Sequence, residues 1–334
     1  MSLEVWSETD RLLLDTRAAA ARVVGAPGDD VALMQNTSTG LDVVVWGIDW
    51  TPGDEIVCTD CEHPGLSVPV AVAARRHGLR VRWIPADRVH ADLEAAVADA
   101  CGPRTRLVAL SHVAWTTGAV LDVAGAARSA HAAGALCAVD GAQAAGAIPV
   151  DPAALGVDAY AFPAQKWLLG PEGLGALWVA PAARDRIDLT FTGYEAGSGH
   201  SPHGDVTLHQ GARRYETSTQ PVMLCAGWNA SIGWLEELGW DWVHGRIASA
   251  HAEARAALED LPGVTILTPP GRQAGLLTFR VARTVPEEAA AAMAAAGVIG
   301  RWLPEPAALR VSLGFYTDTD DIGALRDAVR ALAP

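Results

Sequence analysis

Two hydrophobic patterns alternate along the first part of the chain. Short, continuously apolar or β-branched runs are typical of buried strands. Seven such runs occur: VALM (31–34), EIVC (55–58), RVRWI (80–84), RLVALS (106–111), ALCAV (135–139), DAYAF (158–162) and GALWVA (175–180). Alanine-rich helical patterns lie between them, near residues 39–47, 66–77, 91–99 and 122–133. This alternation favours a mainly parallel sheet covered by helices, with the last run pairing antiparallel at one edge.

The pattern changes after the seventh run. Residues 192–213 are rich in glycine, histidine and serine, which predicts a long loop. From residue 221 two helical patterns precede strands near residues 276–281 and 308–313 and a final helix over residues 320–332. The sequence therefore predicts an α/β protein. A large domain over residues 1–220 contains the mainly parallel seven-stranded sheet, and a small C-terminal α+β domain covers residues 221–334.

Composition and charge exclude several classes of function. Half of the 334 residues are hydrophobic, which is enough for a sizeable core. A formal net charge of −14 argues against a nucleic-acid partner. The chain has neither a run suited to a membrane span nor an apolar signal segment at its beginning. Five cysteines, an odd number, do not indicate a disulfide framework, so we expect a reducing, cytoplasmic location.

Lys166 is the single lysine among 25 basic residues. A guanidinium group stays protonated, whereas a desolvated lysine amine can lose its proton and attack a carbonyl. Lys166 lies just after the predicted strand DAYAF (158–162) and is followed by Trp167 and a glycine-rich turn. This setting suits Schiff-base chemistry. The alternative is that Lys166 is a surface residue left over from a bias towards arginine.

Polar residues follow other strands at their carboxyl ends, where open α/β sheets bind ligands. QNTSTG (35–40) opens a helix, and its N–H groups form either an anion site or an ordinary cap. Asp140 ends an apolar strand, where a carboxylate needs a cationic partner or several donors. Gln143 brings a neutral amide to the same region. Trp115 offers a flat apolar wall, with core packing as its alternative role.

Metal binding is a competing interpretation of the second strand end. Cys58, Cys61 and His63 have the spacing of half a zinc site, and three histidines lie within residues 192–213. No second pair at metal spacing accompanies the first, so we expect no metal. His63 is then suited to stack on a flat ligand. A non-catalytic metal-binding or scaffold protein stays as an alternative function.

A lysine, a carboxylate, a helix-N-terminal anion site and a flat imidazole are the groups that pyridoxal 5′-phosphate (PLP) requires. The stretch DGAQAAG (140–146), followed by DAYAFPAQKW (158–167) and a Gly-Pro-x-Gly turn, resembles the class V aminotransferase family of fold-type I PLP enzymes. The resemblance implies that Lys166 forms the Schiff base and that Asp140 pairs with the pyridine nitrogen. It also implies that Gln143 hydrogen-bonds the ring hydroxyl and that His63 stacks on the ring.

The same resemblance assigns the phosphate and the substrate. It implies that Thr37 and Ser38 hold the phosphate, together with Gln165, which stands where the family usually has histidine. In RRYETSTQP (213–221), Thr219 matches a residue that reaches the neighbouring subunit's site, which implies a homodimer with shared active sites. Arg310 matches the arginine that grips the substrate carboxylate. A strand-edge ion pair is the alternative role of Arg310.

Within the family, the sequence is most similar to cysteine and cystine C–S lyases and to isopenicillin-N-epimerase-like proteins. Cysteine desulfurases carry a nucleophilic cysteine shortly before the carboxylate-binding arginine, and GVIGRWLPEPAALR (297–310) has none. We therefore expect β-elimination from a cysteine-type L-amino acid. Transamination or epimerisation of an amino acid is the alternative.

The family usually has an additional N-terminal segment that packs over the active site. This chain begins close to its first predicted helix. We therefore expect either an open site or a cover supplied by another subunit or by residues 192–213.

Overall fold

A computed structural model gives the fold and describes residues 3–271 and 273–332. The chain forms two compact units. The first comprises Met1–His112 and Asp122–Glu237, and the second comprises Val113–Leu121 and Leu238–Pro334. Each of these units combines a β-sheet with helices.

The first unit contains a seven-stranded sheet in the order β1-β7-β6-β5-β4-β2-β3. The strands are β1 (Val31–Met34), β2 (Glu55–Thr59), β3 (Arg80–Ile84), β4 (Thr105–Ser111), β5 (Leu136–Asp140), β6 (Ala159–Pro163) and β7 (Gly175–Val179). Strands β2 to β6 pair in parallel, as predicted. Strand β7 is antiparallel, as expected, but it lies between β6 and β1 rather than at the edge. All five residues of β7 are buried, as are all four residues of the edge strand β1 beside it.

Within the described residues, eight helices belong mainly to this unit. They are α1 (Leu3–Val23), α2 (Thr37–Gly47), α3 (Pro64–His77), α4 (Ala86–Ala91), α5 (Leu93–Ala100), α6 (Val123–Ala132), α7 (Pro152–Leu155) and α8 (Val222–Leu238). The helix predicted near residues 91–99 is present as α5, and the short helix α4 before it was not predicted. Asp92 is extended, and its side chain accepts the N–H of Ala95 at 3.0 Å, which caps α5.

An apolar core lies between the sheet and the helices that cover it. Leu41, Val44 and Val45 of α2 are buried in the apolar cluster that includes the sheet residues Ala138 and Leu177. No helix in the described part of the chain is both long and apolar enough to cross a membrane.

Residues 192–213 are not a structureless loop, contrary to the prediction. They contain an antiparallel hairpin of β8 (Gly197–His200) and β9 (Val206–Leu208). The N–H of Ser201 donates to the Asp205 carbonyl at 2.9 Å, which closes the turn. Gly204 has a φ of +95°, a conformation that favours glycine. Turn chemistry rather than hydrophobic periodicity therefore forms this hairpin.

The second unit contains a four-stranded antiparallel sheet in the order β10-β11-β13-β12. Its elements are α9 (Trp240–Glu259), β10 (Val264–Ile266), β11 (Leu276–Val281), α10 (Pro286–Ala295), β12 (Arg301–Leu303), β13 (Ala308–Ser312) and α11 (Thr319–Leu332). The predicted strands and final helix are present. Strands β10 and β12 have three residues each, too few for a periodic pattern.

The compact units do not coincide with the domains predicted over residues 1–220 and 221–334. Helix α8 packs in the first unit, where the rings of Trp228 and Phe162 lie 6.3 Å apart. Its Ser231 hydroxyl donates to the Leu168 carbonyl at 2.5 Å. Residues 113–121 belong to the second unit, where Ala119 bridges to Gln273.

Candidate active site

Lys166 lies on the turn after β6, and this turn packs tightly against the turn after β5. A Cβ atom on Gly146 would lie 2.7 Å from Leu168 Cδ2 and 3.1 Å from the backbone carbonyl carbon of Trp167. Gly146 also has a φ of +86°. Only glycine satisfies both conditions without strain. The segment that carries Lys166 is therefore held at a defined distance from the segment that begins with Asp140.

Asp140 is the last residue of β5, and its side chain is buried. Its Oδ1 accepts the N–H of Ala142 at 2.8 Å. Burial raises the pKa of Asp140, while the Ala142 hydrogen bond and the charge of Lys166 lower it. The structure therefore brings together the carboxylate and the amine that the sequence singled out.

Gln143 is oriented by a neighbour of Lys166. The indole Nε1 of Trp167 donates to Gln143 Oε1 at 3.0 Å. An indole N–H can only donate, so the amide oxygen and not the amide nitrogen faces Trp167. Sequence reasoning gave Trp167 no role, although its position directly after Lys166 was a usable signal.

The N-termini of α2 and α3 meet beside His63. Asn36 caps α2, with its Oδ1 accepting the N–H of Thr39 at 2.9 Å. His63 caps α3, with its Nδ1 accepting the N–H of Gly65 at 3.0 Å. A Cβ on Gly65 would lie 2.5 Å from the Ser38 hydroxyl oxygen, so the two helix ends are in contact. Paired N-termini, with Thr37 as the first residue of α2, favour an anion.

Two other predicted phosphate ligands are exposed. Gln165 is an exposed neighbour of Lys166, and Thr219 is exposed on the segment before α8. The hydroxyl groups of Thr219 and Tyr194 are 2.8 Å apart. Thr219 also lines a cavity of about 340 Å³ together with Gln35 and Thr39, which flank the start of α2.

The predicted substrate ligands lie together in the second unit. Arg310 on β13 is buried, and its Nη1 donates to the Trp115 carbonyl at 2.5 Å. Arg301 pairs opposite Arg310 on β12. Both guanidinium groups lie over the Trp115 ring, at 5.9 Å for Arg310 and 5.4 Å for Arg301.

Burial, together with the charge of Arg301, lowers the pKa of Arg310 to about 10. Two adjacent cations on one aromatic ring are suited to bind anionic groups. Sequence reasoning missed Arg301, because the pairing of β12 with β13 is not visible in the residue pattern.

Two further buried groups near Asp140 were not predicted. Glu62 accepts hydrogen bonds from the Thr59 hydroxyl and from Ser111. The hydroxyl of Tyr160 lies 2.8 Å from His112 Nδ1. Burial lowers the pKa of His112 to about 4, so this histidine is neutral at physiological pH. His112 is therefore a hydrogen-bonded core residue.

The half-site for zinc is not built as a metal centre. Cys58 and Cys61 are both buried. Across the described residues, no group of three or more histidine, cysteine, aspartate or glutamate side chains could hold a metal ion.

Comparisons with known proteins show which family this chain resembles. The family model "Aminotransferase class-V" matches residues 3–325. The chain is 33% identical to isopenicillin N epimerase of Streptomyces clavuligerus, over 97% of this chain and 85% of the relative. It is also 33% identical to a probable cysteine desulfurase of Pseudomonas aeruginosa, over 91% of this chain and 79% of the relative.

The chain belongs to the class-V aminotransferase family. Among solved structures, it is similar to the complex between the cystine C–S lyase C-DES and its reaction product cysteine persulfide. The TM-score is 0.94 at 30% identity, over 100% of this chain and 90% of that chain. The predicted fold-type I architecture is therefore confirmed, and the protein is a PLP-dependent enzyme.

The residues present fit PLP. Asp140 is a buried carboxylate that requires a positive partner, which a protonated pyridine nitrogen supplies. Lys166 supplies the amine for an aldehyde. The N-termini of α2 and α3, pressed together at Ser38 and Gly65, supply donors for a phosphate.

Proposed function

We propose that this enzyme is a C–S lyase that cleaves a cysteine-type L-amino acid by β-elimination. The observation that carries this proposal is the segment from β12 to β13, which leads to Arg310 and contains no cysteine. A desulfurase that forms a persulfide on the protein needs a reactive thiolate. The similarity to a cystine C–S lyase supports the same conclusion.

The cysteines elsewhere in the chain are poorly suited to that role. Burial raises the pKa of Cys61 to about 12 and also raises the pKa of Cys58, Cys101, Cys137 and Cys225, of which Cys101 is half-buried. A protonated, buried thiol is a weak nucleophile. The sulfur of the substrate therefore leaves with its own fragment and is not transferred to the enzyme.

Each site residue has a proposed role. When bound, PLP supplies an electron sink for the pair left at Cα after proton removal. Lys166 Nζ holds the cofactor and then takes the α-proton as general base. Asp140 keeps the pyridine nitrogen protonated, Gln143 binds the ring hydroxyl, and His63 stacks on the ring.

The phosphate is held by residues from two subunits in this proposal. Thr37, Ser38 and Gln165 bind it from one subunit, and Thr219 binds it from the partner subunit. The exposure of Thr219 on the segment before α8 supports a homodimer with shared sites. The five free cysteines support a cytoplasmic location.

Arg310 binds the substrate α-carboxylate in a bidentate pair, and Trp115 forms a flat wall. Arg301, on the same ring, adds a second cation. L-cystine suits this pair because it carries two carboxylates. Cleavage of its Cβ–S bond releases cysteine persulfide, and hydrolysis of the three-carbon remainder gives pyruvate and ammonia.

Epimerisation or transamination of an amino acid is the second candidate. The 33% identity to isopenicillin N epimerase favours it. All three reactions begin with removal of the α-proton, so Lys166 has the same role in each.

The test is release of pyruvate and ammonia from L-cystine by the PLP-loaded enzyme without a keto-acid acceptor. We expect both products in equal amounts, and none from the Lys166→Ala variant. Bound cofactor without product release would contradict C–S lyase activity. The next assays would then follow exchange of the α-proton and amino-group transfer.

A further inference from the structure

Glu62 is a buried acid that has no role in the proposed reaction. Glu62 directly precedes His63 in the sequence, and only 6% of its surface is exposed. A carboxyl group in such a place is costly unless hydrogen bonds satisfy it. Its partners therefore indicate why it is there.

Glu62 joins the carboxyl ends of two strands. The Thr59 hydroxyl, at the end of β2, donates to Glu62 Oε1 at 2.5 Å. The N–H of Ser111, at the end of β4, donates to the same oxygen at 3.1 Å. The Ser111 hydroxyl donates a second hydrogen bond to Glu62 Oε2. Strands β2 and β4 are neighbours in the sheet, so the Glu62 carboxyl group connects their carboxyl ends directly before His63. We call this set of hydrogen bonds the Glu62 clamp.

The clamp ends beside Asp140. Ser111 pairs with Asp140 in the register of β4 and β5. The N–H of His112, the next residue, donates to the Asp140 carbonyl at 2.9 Å. Ser111 thus connects Glu62 to Asp140, and the carboxyl groups of Glu62 and Asp140 are both buried near each other.

We propose that Glu62 is a positioning residue for Asp140. It holds the ends of β2 and β4 in place and, through its own protonation, sets the charge that surrounds the Asp140 carboxylate. This inference rests on the proposed role of Asp140 towards the cofactor.

The hydrogen-bond network accommodates both protonation states of Glu62. A hydroxyl group can donate or accept, so Ser111 can donate to the carboxylate or accept from the carboxylic acid. Burial raises the pKa of Glu62 to about 7, although the hydrogen bonds from Ser111 and Thr59 act to lower it. The Asp140 carboxylate raises it further. Cys58 and Cys61 also interact with Glu62, and burial raises the pKa of both thiols.

The pH dependence follows from the direction of this shift. The folded protein binds the Glu62 proton more tightly than the unfolded chain, so the group favours folding at low pH. That contribution is lost as the pH rises from about 4.5 to about 7, where the buried group ionises. A glutamine at position 62 keeps the shape and most hydrogen bonds but cannot ionise.

The experiment compares wild-type and Glu62→Gln holoenzymes between pH 5 and pH 8. We expect the Tm of the variant to rise by about 5 °C relative to wild type across this range. We also expect the wild-type cofactor absorbance to show an inflection near neutral pH that the variant lacks. Neither measurement needs turnover, so the result is independent of whether the C–S lyase proposal holds.

Glu55→Gln is the matched control, because Glu55 lies at the other end of β2 and pairs with Arg82. The Arg82 hydrogen bonds lower the pKa of Glu55, so its Tm difference from wild type should stay constant between pH 5 and pH 8. A constant Tm difference for Glu62→Gln, with an unchanged absorbance titration, would overturn the proposal.

Ser111→Ala provides a second test if Glu62→Gln does not fold. It removes one donor to Glu62, so the neutral inflection should move to higher pH. An inflection that stays at the wild-type pH in Ser111→Ala would also overturn the proposal.

Discussion

Burial distinguishes Asp140 from Asp158, another aspartate of the same strand pair. Asp140 is buried at the end of β5, next to the Lys166 turn. Asp158 lies at the opposite end of the same strand pair, where it accepts the N–H of Cys137 at 2.7 Å and pairs with His131. Asp140 is the fully buried aspartate of the two, and the charge of Lys166 acts on it.

This contrast gives a prediction for Asp140→Asn. The amide keeps the Ala142 hydrogen bond but loses the charge that holds a pyridine nitrogen protonated. We expect kcat for L-cystine to fall by about 10²–10³-fold, with PLP content nearly unchanged because Lys166 still binds it. Asp158→Asn should keep kcat within a few-fold of wild type. Equal losses of kcat in both variants would remove Asp140 from the catalytic site.

At the scale of elements, a buried ion pair joins α1 to the segment that carries Thr219. Arg17 Nε and Nη2 donate to the two carboxylate oxygens of Glu216, at 2.7 and 2.6 Å. The N–H of Leu33 in β1 donates to the same carboxylate at 2.9 Å. Helix α1, strand β1 and the segment 213–221 therefore meet at one charged group.

Removing the Glu216 charge should destabilise the first unit strongly. In Glu216→Gln the buried Arg17 guanidinium loses its counter-ion, so we expect the free energy of unfolding to fall by about 3–5 kcal/mol. Urea unfolding of the holoenzyme measures this.

Glu236→Gln is the control, because Glu236 pairs with Arg22 at the surface. Its cost should be about 0–1 kcal/mol. Indistinguishable urea midpoints for Glu216→Gln and Glu236→Gln would show that the buried pair does not anchor the segment.

At the scale of the molecule, each compact unit carries its own set of the residues that the sequence singled out. The first unit carries Lys166, Asp140 and the paired helix N-termini, and the second carries the two arginines on Trp115. In the proposed homodimer, Thr219 adds a contribution from the partner subunit. Such sharing makes activity depend on which chains are paired.

Mixed dimers test this arrangement. Lys166→Ala and Thr219→Ala variants, each nearly inactive alone, should recover about a quarter of wild-type activity when mixed and re-paired at random. Half of the dimers are then heterodimers, and each contains one intact site. If Thr219 serves its own subunit, the mixture stays inactive, because each heterodimer site still carries one substitution.

Local pattern was sufficient to predict most of the regular elements and to select candidate residues at the strand ends. Continuous apolar runs specify buried strands because a sheet covered on both faces excludes polar side chains. Asp140 and Lys166 were identifiable for a related reason. A lone acid after an apolar strand, and a lone lysine in an arginine-rich chain, are exceptions that packing alone does not explain.

Contacts between residues far apart in the sequence decided the features that the local pattern did not predict. The position of β7 inside the sheet, the Glu62 clamp on Ser111 and the pairing of Arg301 with Arg310 each join residues from different elements. Strand order and side-chain partners depend on which elements become neighbours, and a local pattern carries no such information. Burial then converts this proximity into chemistry, because desolvation alters the proton affinity of Glu62, Asp140 and Arg310 only in the folded chain.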